Sequence, residues 1–136
     1  MATFDLELVS PERLLLSRPV EMAVIPAYEG EMGVLPGHSP MIVALRGGVI
    51  RVTESGRESE RLFIMGGFAE ITPTRVTVLA DEATPLANLS KATAAQRVTE
   101  AEAALAAAAN DAPEVRDRAA DRLAAARAMR DAAQAA

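Results

Sequence analysis

Apolar and polar residues alternate along most of the first 85 positions. Near the N-terminus Phe4, Leu6 and Leu8 are each separated by an acidic residue, which is the pattern of a strand with one buried face. Ser55 and Gly56 predict a hairpin turn further along. Similar short apolar segments, bounded by proline, glycine or serine, lie at residues 14–16, 20–24, 49–53, 61–65, 68–71 and 76–79. Short strands at this spacing predict an antiparallel β-sandwich or a flattened barrel of about 80 residues.

Apolar residues in the rest of the chain recur every three or four positions, as on one face of a helix. Two such series are present: Ala94, Val98, Ala101, Leu105 and Ala108, then Val115, Ala119, Leu123 (or Arg122), Ala126 and Met129. They predict one helix over about residues 90–109 and a second one after it. Asp111 is predicted to cap the second helix, with Pro113 in its first turn. The short connection predicts an antiparallel helical hairpin.

The composition changes near Pro85, which divides the chain into a sandwich domain (residues 1–85) and a helical hairpin (residues 86–136). All eight glycines precede this point, whereas the hairpin is rich in alanine. Burying alanine stabilises a fold much less than burying leucine or methionine. We therefore expect the hairpin to hold together weakly and to be able to change its docking partner.

Charge and composition exclude several classes of function. The net charge is −5, and all of it belongs to residues 1–85, with 7 basic and 12 acidic residues against 7 and 7 in residues 86–136. Without a basic stripe or tryptophan, we expect no nucleic acid partner. The absence of cysteine excludes disulfides and thiolate metal sites. No apolar run is long enough to span a bilayer, and the N-terminus lacks a signal-peptide pattern, so we expect a cytoplasmic protein.

Residues 29–40 combine three glycines, two prolines and the only histidine of the chain, His38. So constrained a segment either holds a corner of a β-structure or presents a binding face. The adjacent Ser39 lacks the motif of an activated nucleophile, which favours a structural or interface histidine over a catalytic one. Glu29 and Glu31, at two-residue spacing, are more typical of a solvated strand face than of a metal site.

Arginines on the second predicted helix are candidates for a docking face. Arg116, Arg122 and Arg127 stand out, but aspartates are interleaved with them, and a solvated helix surface is the commoner interpretation. The residues alone thus indicate a β-sandwich joined to a loosely packed helical hairpin, in other words an adaptor or regulatory module without catalytic chemistry.

The segment at residues 29–40 reads Glu-Gly-Glu-Met-Gly-Val-Leu-Pro-Gly-His-Ser-Pro. It closely resembles the signature Glu-Gly-Glu-(apolar)-Gly-(apolar)-x-Pro-Gly-His-x-Pro of the epsilon subunit of bacterial F-type ATP synthases. Residues 8–12, 66–68 and 76–81 are similar to the same family in order and spacing. The resemblance covers residues 1–85, and the helical half only in length and character. It implies a fold of mainly β plus α class, a ten-stranded antiparallel β-sandwich followed by a two-helix hairpin.

The resemblance implies a non-catalytic subunit of the central rotor stalk, which couples proton-driven rotation of the c ring through the gamma subunit to ATP synthesis. Such a subunit needs no cofactor and associates with the cytoplasmic face of the bacterial inner membrane through the complex. Glu29, Gly30, Glu31 and His38 would lie at the ring and gamma contacts, and Met41–Leu45 would build the sandwich wall. The alternative is a free-standing regulatory or binding module that does not join the synthase.

In several members of this family the hairpin inhibits ATP hydrolysis by extending into the catalytic head, where it meets the alpha and beta subunits. Arg116, Arg122 and Arg127 are the candidates for such docking here. Some members also bind ATP through an apolar-Asp-x-x-Arg-Ala motif. In the matching residues 89–94, Ser90 replaces the aspartate and Thr93 replaces the arginine, so we expect no specific ATP binding.

Overall fold

A computed structural model describes residues 2–135, so Met1 and Ala136, the outer ends of the two predicted domains, lie outside the described residues. Within this range the chain forms ten strands followed by two helices, which confirms the predicted fold class. The strands are β1 (Phe4–Val9), β2 (Leu14–Val20), β3 (Met22–Ala27), β4 (Gly30–Val34), β5 (Met41–Leu45), β6 (Gly48–Glu54), β7 (Arg57–Ile64), β8 (Gly67–Ile71), β9 (Arg75–Ala80) and β10 (Ala83–Pro85). A 3₁₀ turn (Leu86–Asn88) leads into α1 (Lys91–Ala107) and α2 (Pro113–Ala135).

The strands follow one path, β10-β7-β6-β3-β5-β8-β9-β1-β2, and β4 pairs with β3. A single residue pair, Ala27 with Leu45, joins β3 to β5. This junction divides the path into two groups of five strands, and the apolar core contains residues from both groups. One pairing departs from the predicted antiparallel order, because β1 and β9 run parallel. The two strands are far apart in sequence, so no tight turn forces them to be antiparallel.

The core follows the period-two pattern of the sequence. Leu6 and Leu8 on β1 and Val76 and Val78 on β9 are almost completely buried. In the part of the chain that the structure describes, no polar or charged side chain is buried. No charge therefore has to be desolvated to form this core. The alternating residues of each strand remain available to form the outer faces.

The last three residues of strand β7 are buried, on both faces of the strand. Leu62 and Ile64 belong to the sandwich core, whereas Phe63 between them lies in a separate cluster with Ala94 and Met129 of the hairpin. The continuous apolar run of this strand is explained by its position between two layers. Phe63 thus connects the sandwich to the docked helices.

The predicted hairpin turn and the predicted start of the second helix have different outcomes. The Ser55-Gly56 hairpin is confirmed, and both residues have positive φ values of 53° and 76°, as a type I′ turn requires. Pro113 is the first residue of α2, as predicted. The prediction that Asp111 caps this helix is wrong, because the first helical hydrogen bond runs from the Arg116 N–H to the carbonyl oxygen of Ala112. Ala112 therefore holds the capping position.

The two helices pack unevenly along their length. Val98, Ala101 and Leu123 are buried between them, but Val115, predicted to lie on the same seam, is 43% exposed. Almost all residues of α2 before Leu123 are exposed. The end of the hairpin away from the sandwich therefore has little apolar contact to hold it. No helix in the described range is long and apolar enough to cross a membrane.

We expect amide hydrogen exchange to divide the hairpin. Amides in residues 113–122 should exchange at least tenfold faster than those in residues 123–133, because few apolar contacts oppose local opening there. The strand amides of β1 and β9 serve as the slowly exchanging reference. Equal protection across α2 and these strands would contradict the interpretation.

Candidate functional site

Residues 29–40 do not form one loop, because strand β4 (Gly30–Val34) lies inside the segment. A turn precedes this strand and another turn follows it. At about 3.3 Å per residue, the five residues of the strand separate the two turns by roughly 15 Å. Glu29, Gly30 and Glu31 therefore lie together at one end of β4, and His38 lies beyond the other end.

The first turn connects β3 to β4 through Tyr28 and Glu29. Gly30 follows with a φ of 146°, a conformation that L side chains rarely adopt. Glu29 is exposed. Glu31 is exposed too, but its carboxylate forms an ion pair with Arg51, with 3.1 Å between Oε2 and Nη1. The turn thus presents one carboxylate to solvent and a second one held in position by an arginine.

The second turn is built by proline and glycine. The His38 N–H donates to the carbonyl oxygen of Leu35 at 3.3 Å, and Gly37 has a φ of 83°, which together with Pro36 fits a type II turn. The Gly37 N–H donates to the carbonyl oxygen of Pro73 at 2.8 Å and attaches the turn to the β8–β9 connection. The His38 ring lies with Nδ1 2.8 Å from the carbonyl oxygen of its neighbour in sequence, Ser39.

Exposed polar and apolar side chains surround the two turns. Residues 2–135 contain no group of three or more histidine, cysteine or acidic side chains arranged to hold a metal ion. The two turns offer carboxylates, an imidazole and an exposed Leu35 to the outside. Such rigid, protruding features are suited to contact with another macromolecule.

A row of apolar side chains crosses the outer face of the sandwich, and the sequence analysis missed it. It runs through five paired strands in the order Ala44, Phe68, Leu79, Val9 and Leu14. Phe68 is 57% exposed, and Leu79 and Leu14 are each 55% exposed. With strands about 4.8 Å apart, this apolar row is roughly 19 Å long. Contiguous exposed apolar side chains mark surfaces that bind a partner.

Strand β5 builds part of the sandwich wall, as predicted, but its outward face is strongly apolar. Met41–Leu45 pairs with β8, but Ile42 is 73% exposed and only Leu45 is buried. Apolar residues occupy both faces of this strand, so the sequence alone gives no inward direction. The sequence of the neighbouring strand β8 does indicate which face points outward. Phe68 lies on the same face as Glu70, and a carboxylate is expected to face solvent.

The hairpin is docked on the sandwich through a close backbone contact. Gly47, between β5 and β6, lies against Ala125 of α2, and a Cβ atom added to the glycine would be 2.7 Å from the Ala125 Cα. Beside this contact the Tyr28 hydroxyl donates to Asp121 Oδ1 at 2.7 Å. This hydrogen bond raises the pKa of the Tyr28 phenol. Tyr28 therefore links the β3–β4 turn to the hairpin.

A second polar contact joins the start of the hairpin to the sandwich. Arg97 of α1 donates two hydrogen bonds to the Glu82 carboxylate, at 2.9 and 2.7 Å. The hydrogen bonds from Arg97 lower the pKa of the Glu82 carboxyl, although partial burial opposes the shift. A bidentate pair of this kind also fixes the orientation of the two groups.

The three arginines predicted for docking do not form one cluster. With 3.6 residues per turn, Arg116 and Arg127 lie on nearly the same side of α2, and Arg122 lies roughly 120° around the helix. Arg122 borders a cavity of about 720 Å³ between the hairpin and the sandwich. Arg127 approaches Glu102 of α1 at 3.9 Å. All three are exposed.

The same cavity carries charges of both signs: Arg97, Arg118 and Arg122, with Asp81, Glu82, Glu100 and Asp121. At the start of α1, Ser90 occupies the position where the ATP motif has aspartate. The Ser90 hydroxyl accepts a hydrogen bond from the Thr93 N–H at 3.2 Å and caps α1. Ser90 therefore has a structural use at the helix start, to which Thr93 contributes only its backbone N–H.

Comparison with known proteins identifies related chains. Residues 3–86 match the family described as ATP synthase, Delta/Epsilon chain, beta-sandwich domain. The chain is similar to the ATP synthase epsilon chain of Granulibacter bethesdensis, with 60% identity over 78% of each chain. It is also similar to that of Gluconacetobacter diazotrophicus, with 47% identity over 76% of this chain and 73% of the relative.

The structure resembles a chain from the Euglena gracilis mitochondrial ATP synthase, in an assembly described as OSCP/F1/c-ring in rotational state 1. The TM-score is 0.76 and the identity 28%, over 97% of this chain and 82% of that chain. This likeness extends through the sandwich and the hairpin alike.

Replacing Gly47 with alanine tests the docking contact. The added Cβ overlaps the backbone of α2, and overpacking of this kind costs about 1–3 kcal/mol. We expect faster amide exchange in residues 123–133, by roughly tenfold for each 1.4 kcal/mol.

Gly37→Ala is the matched control, because nothing lies within 4 Å of its Cβ position while its φ of 83° still strains an alanine. It should destabilise the sandwich locally and leave exchange in α2 unchanged. If the amides of α2 exchange at the same rate in Gly47→Ala as in the wild type, the contact does not hold the hairpin.

Proposed function

Because the chain belongs to the epsilon-chain family of ATP synthases, we propose that it is a non-catalytic subunit of the central rotor stalk. It couples proton-driven rotation of the c ring, through the gamma subunit, to ATP synthesis on other subunits. The proposal is supported above all by the exposed apolar row on the outer face of the sandwich, the domain that matches the family. A subunit that works alone has no need of such a surface.

The gamma subunit is the proposed occupant of the apolar row. Phe68 and Leu79 are adjacent on paired strands and form its centre, and large apolar side chains at the centre of an interface contribute most to binding. His38 lies on the turn next to the β8–β9 connection, at the far end of these strands from Phe68 and Leu79, and we assign it to a separate part of the gamma and ring contacts. The sandwich, rather than the hairpin, then provides attachment to the stalk.

The turn at the opposite end of β4 is the proposed contact with the c ring. Glu29 is free to reach polar groups on the loops of the ring, and Gly30 provides the tight turn. Glu31 is held by Arg51, so its carboxylate has a fixed position. Through this contact the chain is peripheral to the cytoplasmic face of the bacterial inner membrane.

The hairpin is the proposed regulatory part of the chain. Support comes from its separate, alanine-rich packing and from the exposure of Arg116, Arg122 and Arg127. In an extended posture these arginines would face the alpha and beta subunits and slow ATP hydrolysis. The docked posture leaves the head unhindered.

Replacing Phe68 with serine should weaken binding to the gamma subunit of the same organism by about 30-fold or more, as for truncation of a central interface residue. The side chain is 57% exposed, so the sandwich should keep its fold. Titration calorimetry with the gamma-containing soluble head measures the affinity.

Val115→Ser is the control, because Val115 is an exposed apolar residue on the hairpin. This variant should bind gamma as tightly as the wild type does. Wild-type affinity of Phe68→Ser would remove the apolar row from the interface. Failure of the unmodified chain to bind gamma would favour the free-standing module instead.

Replacing Glu31 with lysine should weaken attachment of the catalytic head to the membrane sector, because it reverses a charge at the proposed ring contact. ATP-driven proton pumping in membrane vesicles measures this coupling. Arg51→Gln separates the two effects, because it removes the ion pair that positions Glu31 but keeps the carboxylate, and it should weaken attachment less than Glu31→Lys does. Unchanged pumping in Glu31→Lys would count against the ring contact.

A further inference from the structure

A second row of side chains runs beside the apolar row on the outer face. It passes from Ile42 on β5 to Glu70 on β8, Thr77 on β9 and Glu7 on β1. Side chains two residues apart on a strand point to the same face. Glu70 is therefore next to Phe68 along its own strand and directly opposite Ile42 across the pair.

The two carboxylates of this row differ in their pairing. Glu7 forms an ion pair with Arg75, with 2.7 Å between Oε1 and Nη1. Glu70 is exposed and takes part in none of the ion pairs formed among residues 2–135. A charge without a partner thus lies beside Ile42 and Phe68, two of the most exposed apolar side chains of the chain.

Any partner that covers the apolar row also removes water from Glu70. A desolvated carboxylate without a counter-charge is costly, whereas a hydrogen-bonded ion pair compensates the lost hydration. A surface lacking a cation at this point is therefore rejected, and one that carries a cation is accepted.

We infer that Glu70 determines which surface the apolar row accepts, by pairing with an arginine or lysine of the gamma subunit. The inference rests on the proposed function, since it names the chemistry of the same partner. The partner surface then carries an apolar strip for Phe68 and Leu79 and a basic side chain about 7 Å from it, the distance between alternate residues on a strand.

The test measures the affinity of full-length Glu70→Gln and Glu70→Arg for the gamma-containing head. Removing one member of a desolvated ion pair costs at least about 30-fold in affinity, and a like charge costs more. We expect a loss of this size in Glu70→Gln and a larger one in Glu70→Arg. The wild-type affinity should also fall more steeply with salt than that of Glu70→Gln.

Glu58→Arg is the control for charge reversal away from the apolar row, because Glu58 is an exposed carboxylate on β7, in the other group of strands, where it pairs with Arg61. It should bind as the wild type does. In a second arm, each arginine and lysine of gamma is changed to glutamate, and one of these changes should restore binding to Glu70→Arg.

The outcomes separate the two proposals. If Phe68→Ser weakens binding while both Glu70 variants bind as the wild type does, the role of Glu70 is overturned and the stalk function stands. If the wild-type chain does not bind gamma, the proposed function fails and the inference fails with it.

Discussion

The helical hairpin has only a small core of its own, and this constraint governs how the two halves of the chain are joined. Three of the five buried residues of α2 are alanines, which bury little surface but let backbones approach closely. The sandwich compensates by turning Phe63 outward into the helices and by leaving Gly47 without a side chain where α2 passes. Docking therefore depends on a narrow zone of backbone contact, supplemented by polar contacts at its edges.

Local patterns predicted most of the architecture. The alternation at Leu6 and Leu8 specifies a strand whichever strand it pairs with, and Gly56 specifies a hairpin turn through its own backbone. The outward direction of Ile42 could not be predicted, because both faces of β5 are apolar and only the layer arrangement decides which is covered. The contact between Tyr28 and Asp121 spans 93 residues, and no local period encodes it.

The structure also revises how the histidine-containing segment is understood. Sequence similarity treats residues 29–40 as one signature, yet β4 separates its acidic end from its histidine end. Tyr28, at the acidic end, touches α2, and Ala44 and Phe68 border a cleft of about 830 Å³ beside the same helix. The proposed attachment surfaces and the docked hairpin thus meet along a shared border.

The exposed apolar row has a consequence for copies of the chain that are made in excess of the rotor. Until it is covered, a free chain exposes Phe68, Leu79 and Leu14 and can associate with other free copies through them. The surplus negative charge of the sandwich opposes this self-association by mutual repulsion. Solubility of the unassembled subunit should therefore fall at high ionic strength, and covering the row with a partner should remove this dependence.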